Sequence, residues 1–152
     1  MKTAEAIATL DADVQVNAVA LIDACVAHPL KIALGVHQGY RSWDDQQVDW
    51  LKGRDPGTGG IVHPKEVVTY CPPGRSWHQW RRAFDCHIDT FSGDQTPKYV
   101  WDGPWDLVET IAASLGLTPG GRWHHPDAPH MEYPAGRTIA AMLSAHPKGL
   151  DA

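Results

Sequence analysis

His78 and Asp85 stand seven residues apart in "SWHQWRRAFDCHID", residues 76–89. A second cluster, "WHHPDAPHME", brings His124, His125, Asp127 and His130 within one short stretch. Imidazole nitrogens and carboxylate oxygens are the ligand atoms that Zn²⁺ takes in catalytic sites, where three protein groups bind and a fourth position stays open for water. His78 and Asp85 supply two such groups, and any of the three later histidines is a candidate third. The set His78, Asp85 and His130 gives two imidazoles and one carboxylate. Asp127 would then be placed to take a proton from the water. His87 is a rival ligand, because period two on a strand puts it on the same face as Asp85. Hydrolysis also needs a positive group where an oxyanion develops. Arg41, in "GYRS", follows an apolar run and precedes a helical pattern, so it is the candidate. Its plain alternative is a surface pair with Asp44 or Asp45.

The elements that must hold these residues are read from periodicity. Residues 14–28 have apolar side chains at helical spacing, Val16, Val19, Ala20, Leu21 and Ile22 among them. Residues 31–36, "KIALGV", read as a buried strand. A helix is expected over 42–53, with Ser42 as N-cap, acids in the first turn and Gly53 at its end. Residues 54–64 carry turn chemistry throughout. Residues 66–70, "EVVTY", read as a strand. Residues 82–89 alternate and form a strand that places Asp85 beside Ala83 and His87. A helix over 103–117 has Pro104 at its first position and stops near Gly116. Residues 122–133 form a loop entering a short strand, and a helix over 136–146 closes the chain. Strands and helices mix without regular alternation, which favours an α+β fold with a small antiparallel sheet and flanking helices.

Composition bounds the rest. The 152 residues suit a single domain, and 43% hydrophobic with 20% charged residues is globular. A net charge of -5 argues against general nucleic-acid binding. No apolar run reaches the roughly 18–20 residues that span a bilayer, and the N-terminal stretch has no signal-peptide block. The chain is therefore expected in the cytoplasm, without membrane insertion, and as a monomer. Three cysteines without CxxC spacing, Cys25, Cys71 and Cys86, read as free thiols. Trp77, Trp80 and Trp123 either wall a groove or pack in the core.

Three blocks, "GYRSWDDQQVDWLKGR", "TYCPPGRSWHQWRRAFD" and "WHHPDAPHMEY", resemble in order the signatures of the zinc-dependent D-alanyl-D-alanine carboxypeptidase and L-alanyl-D-glutamate endopeptidase superfamily. The resemblance spans about residues 31 to 133. It implies the fold of Hedgehog and D,D-peptidase zinc domains, one Zn²⁺ per chain, and a peptidoglycan stem peptide as the substrate. The family's Ser-x-His-x-x-Gly-x-Ala-x-Asp motif falls on Ser76, His78, Ala83 and Asp85, which makes His78 and Asp85 ligands. Its Asp-x-x-His motif makes Asp127 the base and His130 the third ligand. Its Gly-Tyr-Arg segment falls on Gly39, Tyr40 and Arg41, with Arg41 polarising the scissile carbonyl. Tyr40 and Gln46 are implied in substrate binding. Ser76 is expected to hydrogen-bond the substrate or a ligand carboxylate, and Glu132, two residues past His130, to orient a ligand histidine. His124 and His125 become rim or substrate-contact groups.

One position departs from the pattern. Arg81 stands where the motif has glycine, a residue that permits positive φ. Arg81 is therefore expected either to change the turn or to reach the substrate. The Asp-x-x-His form favours the endopeptidase branch, a phage-type endolysin held in the cytoplasm until release to the cell wall, with no separate wall-binding domain. Two alternatives stay open: a D,D- or L,D-carboxypeptidase, and a zinc-stabilised binding module without catalysis.

Overall fold

A computed structural model describes residues 2–93 and 102–151 of the chain. The chain divides into two compact units, Met1–Tyr40 with Arg81–Tyr133, and Arg41–Trp80 with Pro134–Ala152.

The first unit is a four-stranded antiparallel sheet with helices. Its strands are β1 (Ala33–Gln38), β2 (Ala83–Thr90), β3 (Thr118–Pro119) and β4 (His130–Glu132), in the order β1-β2-β4-β3. Its helices are α1 (Thr3–Ala8), α2 (Ala12–Ala27) and α4 (Trp105–Ser114). Leu34, Val36, Phe84, Cys86, Ile88 and Met131 of the sheet bury against Val14, Ala18, Leu21 and Cys25 of α2 and against Trp105, Val108 and Ala112 of α4. The buried α2 residues recur at spacings of four, three and four, one stripe of a helix. Val16 and Val19, counted from the sequence as part of the apolar pattern, lie on the outside instead, 68% and 46% exposed. The pattern identified the helix correctly but not the side that turns inward. Cys25 and Cys86 are buried free thiols, and burial pushes the Cys25 thiol up to about 11.

A buried arginine ties the entry of α2 to the sheet. Arg82 is 1% exposed. Its Nε donates to the Tyr133 carbonyl at 2.9 Å, Nη2 to Asp13 at 2.8 Å and Nη1 to Asp11 at 3.2 Å. Forked pairing of this kind suits the planar guanidinium and not an ammonium. Arg82→Met should lower the thermal stability by about 1–3 kcal/mol, because the Tyr133 carbonyl loses its side-chain donor. Arg82→Lys should recover only part of it. The Arg82 hydrogen bond holds the Asp13 carboxyl below its ordinary value of 3.8. A depressed carboxylate contributes stability above the unfolded value and loses it as pH falls through the folded one. The gap between wild type and Arg82→Met, measured by thermal melts, should therefore narrow below about pH 4. A gap that widened in acid would count against this account.

The second unit holds α3 (Trp43–Leu51), α5 (Ile139–Ala145) and two short 3-10 helices, Pro64–Glu66 and Trp77–Trp80. Ser42 caps α3 as expected, its hydroxyl accepting from the Asp45 N–H at 3.1 Å. Gly53 ends that helix region at φ 74, and a Cβ there would meet the His63 carbonyl at 2.5 Å. Gly74 lets the chain turn at φ 83, against Trp43 and Leu143.

Three expectations need correction. Residues 67–70 form no strand: Pro64–Glu66 is a 3-10 turn, and Val68 and Tyr70 are 60% and 53% exposed. Strand propensity without a partner to complete the ladder gives no strand. The last helix begins at Ile139 and not at residue 136, since Ala135 and Gly136 take positive φ and Thr138 caps the helix. Pro104 sits at the capping position, one residue before α4 begins. Two elements, α1 and the two-residue β3, carried no sequence signal strong enough to be read. Among the described residues, no helix is long and apolar enough to cross a membrane.

Candidate metal centre

Register decides how the sheet presents its chemistry. β2 and β4 pair with Ala83 opposite Glu132, Phe84 opposite Met131 and Asp85 opposite His130. Side chains alternate across a strand, so Phe84 and Met131 enter the core while Asp85, His130 and Glu132 share the other face. Directly opposed residues bring their side chains into contact. The Asp85 carboxylate lies 3.3 Å from His130 Nδ1, and Glu132 lies 3.1 Å from Nε2 of the same ring. His130 is buried, and burial works against its charged form. The hydrogen bonds that its ring donates to the Asp85 and Glu132 carboxylates outweigh that and raise its pKa to about 9.

The Asp127–His130 segment is a turn. The His130 N–H donates to the Asp127 carbonyl at 3.1 Å, and the Asp127 N–H donates to the Gly120 carbonyl at 3.0 Å. The segment is bent, so strand alternation does not set the relative directions of residues 127 and 130. Asp127 is exposed. The Trp123 ring lies 4.8 Å from that of His130, so Trp123 walls this histidine and is not a core residue.

His78 sits in the 3-10 helix Trp77–Trp80. Its N–H reaches the Ser76 hydroxyl at 3.4 Å, so Ser76 supports the turn that carries the imidazole. Gln79 accepts from the Gly74 N–H at 2.6 Å, and the Trp80 indole donates to the Gly74 carbonyl at 3.3 Å. Trp80 is thus a buried packing residue with its N–H satisfied. Asp85 and His130 each offer one ligand atom from the same face of the sheet. Ligand atoms about 2.1 Å from zinc at tetrahedral angles stand roughly 3.4 Å apart. The 3.3 Å separation of Asp85 and His130 fits that spacing. Glu132 occupies the second nitrogen of His130, as the carboxylates behind metal-binding histidines do.

The remaining nominees fall in other places. The Arg41 N–H donates to the His78 carbonyl at 3.2 Å. Its Nη1 donates to Gln46 Oε1 at 3.0 Å and lies 3.6 Å from Asp49. The acidic neighbour is therefore Asp49 and not Asp44 or Asp45. Gln46 and Asp49 are three apart on α3 and share a face, a spacing that was readable beforehand. Arg81 takes φ 58, so it keeps the backbone conformation that the motif's glycine would allow. Its guanidinium stacks 4.7 Å over the Tyr40 ring and reaches the Thr9 carbonyl at 3.4 Å. The His87 Nε2 lies 3.3 Å from Asp89, and its ring is 5.9 Å from that of His37. His124 and His125 are exposed and pack edge to face at 4.7 Å.

Residues 71–133, the segment carrying His78, Asp85, Asp127 and His130, match the family described as D-alanyl-D-alanine carboxypeptidase. Similar solved structures include the Serratia marcescens L-Ala D-Glu endopeptidase ChiX, at 19% identity and TM-score 0.50 over 86% of this chain and 85% of that one. The vancomycin resistance D,D-pentapeptidase VanY, a mutant from the VanB-type cassette in complex with Zn(II), is similar at 19% identity and TM-score 0.56, over 89% of this chain and 78% of that one. The LD-carboxypeptidase LdcB follows at 19% and 0.53, over 90% and 71%. The search of curated protein sequences gives no match. The chain has the mixed helix-and-sheet fold of these solved structures.

Proposed function

We propose that this protein is a zinc peptidase of peptidoglycan stem peptides that cuts between L-alanine and D-glutamate. The observation that carries the reading is the opposed pair Asp85 and His130, 3.3 Å apart, with Glu132 behind the imidazole. His78 completes the ligand set, and one zinc is held per chain. Bound there, zinc supplies Lewis acidity and brings the pKa of water down to about 7.

The chain's own groups do the rest. The exposed Asp127 carboxylate accepts the proton of the attacking water and returns it to the leaving amine nitrogen. Arg41 steadies the negative charge that develops on the scissile carbonyl oxygen. Glu132 holds the His130 ring in one orientation, with Nδ1 turned to Asp85. Ser76, Tyr40 and Arg81 contact the peptide in this reading, the last two as a stacked pair. The assignment of the bond rests on the Asp127-Ala-Pro-His130 form of the last motif. A phage-type endolysin role goes with it, and lysis of intact walls from outside by the purified protein tests that role.

A second reading, a carboxypeptidase trimming the stem peptide, is favoured by the description of the matched family. Mass spectrometry of digested muropeptides separates the two. The endopeptidase leaves L-alanine on the sugar side and frees the amine of D-glutamate. Free D-alanine as the sole product would establish the carboxypeptidase. Zinc-loaded protein that binds muropeptides and releases nothing would reduce the chain to a binding module.

A further inference from the structure

We infer that Gln46 is a positioning residue that aims the Arg41 guanidinium, and not a substrate contact; this rests on the catalytic role proposed for Arg41. Gln46 is fully buried, at 0% exposure, although it belongs to an otherwise solvated helix. Both ends of its amide are engaged. Oε1 accepts from Arg41 Nη1 at 3.0 Å, and Nε2 donates to the Cys71 carbonyl at 2.7 Å. The amide orientation is forced by its partners. Reversed, its NH₂ would face a guanidinium that only donates, and its oxygen would face a carbonyl that only accepts.

The Cys71 carbonyl thus anchors Gln46, and Gln46 anchors Arg41. Asp49, one helical turn further along α3, adds charge at 3.6 Å from the same Nη1. The Arg41 backbone is tied as well, through its N–H to the His78 carbonyl. Side chain and backbone are held by different neighbours, and the direction of the guanidinium depends on Gln46. A carboxylate at position 46 would still attract Arg41 but would repel the Cys71 carbonyl. Methionine would fill the space and hold neither partner.

A displaced charge loses its effect on the transition state while leaving peptide binding largely intact, and about 1 Å of misplacement is worth on the order of 10²-fold. For zinc-loaded Gln46→Met, kcat should fall about 10–100-fold, with KM within about threefold of wild type and zinc content unchanged. Gln46→Glu should recover part of the loss. In an Arg41→Ala background, Gln46→Met should cost nothing further, because the two residues act as one unit. A rise in KM at constant kcat would make Gln46 a substrate contact and overturn the inference, as would full additivity of the two substitutions. A readout independent of activity separates this inference from the function proposed above. Nitrogen-detected NMR of the arginine side chains should show restricted guanidinium rotation for Arg41 in wild type and free rotation in a Gln46→Met variant that melts normally. If the wild type cut no muropeptide but Arg41 were held in this way, the function would fall and the positioning would stand. An Arg41 guanidinium equally mobile in wild type and Gln46→Met would remove the positioning itself.

Discussion

Asp127→Asn should abolish most wall-peptide hydrolysis while leaving the zinc in place. The substitution keeps shape and volume and removes only the capacity to take a proton. Its backbone bonds, to the Gly120 carbonyl and from the His130 N–H, do not involve the side chain. The turn that delivers His130 therefore persists. General-base assistance is typically worth about 10²–10⁴-fold in rate. Turnover should fall on that scale, with zinc content and melting temperature little changed. Loss of zinc from Asp127→Asn would make Asp127 a ligand. Activity near wild type would place the base elsewhere, and Glu132 would be the first group to test.

His78→Ala and His130→Ala should lose metal and activity together. Either change leaves two protein ligands where a catalytic zinc takes three. Metal that binds the folded state alone stabilises it by mass action, about 2.7 kcal/mol at a hundredfold excess over Kd. The wild type should therefore melt higher with added zinc, and either variant should show little of that rise. Glu132→Gln should fall between, with about 10–100-fold weaker zinc binding, because the imidazole keeps its place but loses the carboxylate that orients it. Full zinc occupancy in His78→Ala would show that the ligand set is wrong.

The residues nominated for the site lie in short segments with strong local rules. Ser42 announces α3 as a hydroxyl ahead of two acids, and alternation along residues 82–89 sets Asp85 apart from Phe84 and Cys86. The motif blocks nominate His78, Asp85, Asp127 and His130 with no long-range information. Where local preference met a tertiary requirement, it lost. Residues 66–70 favour a strand by composition and form none, Glu66 ending a 3-10 turn instead. The valines on the outer side of α2 have the same hydropathy as Val14 on the inner side, and only the sheet beneath the helix distinguishes them.

By itself, the sequence determined which side chains could act and roughly which elements carry them. The tertiary structure decided how they meet. The pairing of Asp85 with His130 is a matter of register between strands more than forty residues apart, and a slip of one residue would send His130 into the core and Met131 out of it. Gln46 finds its partners in Arg41 and in the carbonyl of Cys71, twenty-five residues away. A carbonyl has no sequence signature, since every residue has one. Such contacts follow from where the folded backbone passes, which local spacing does not encode.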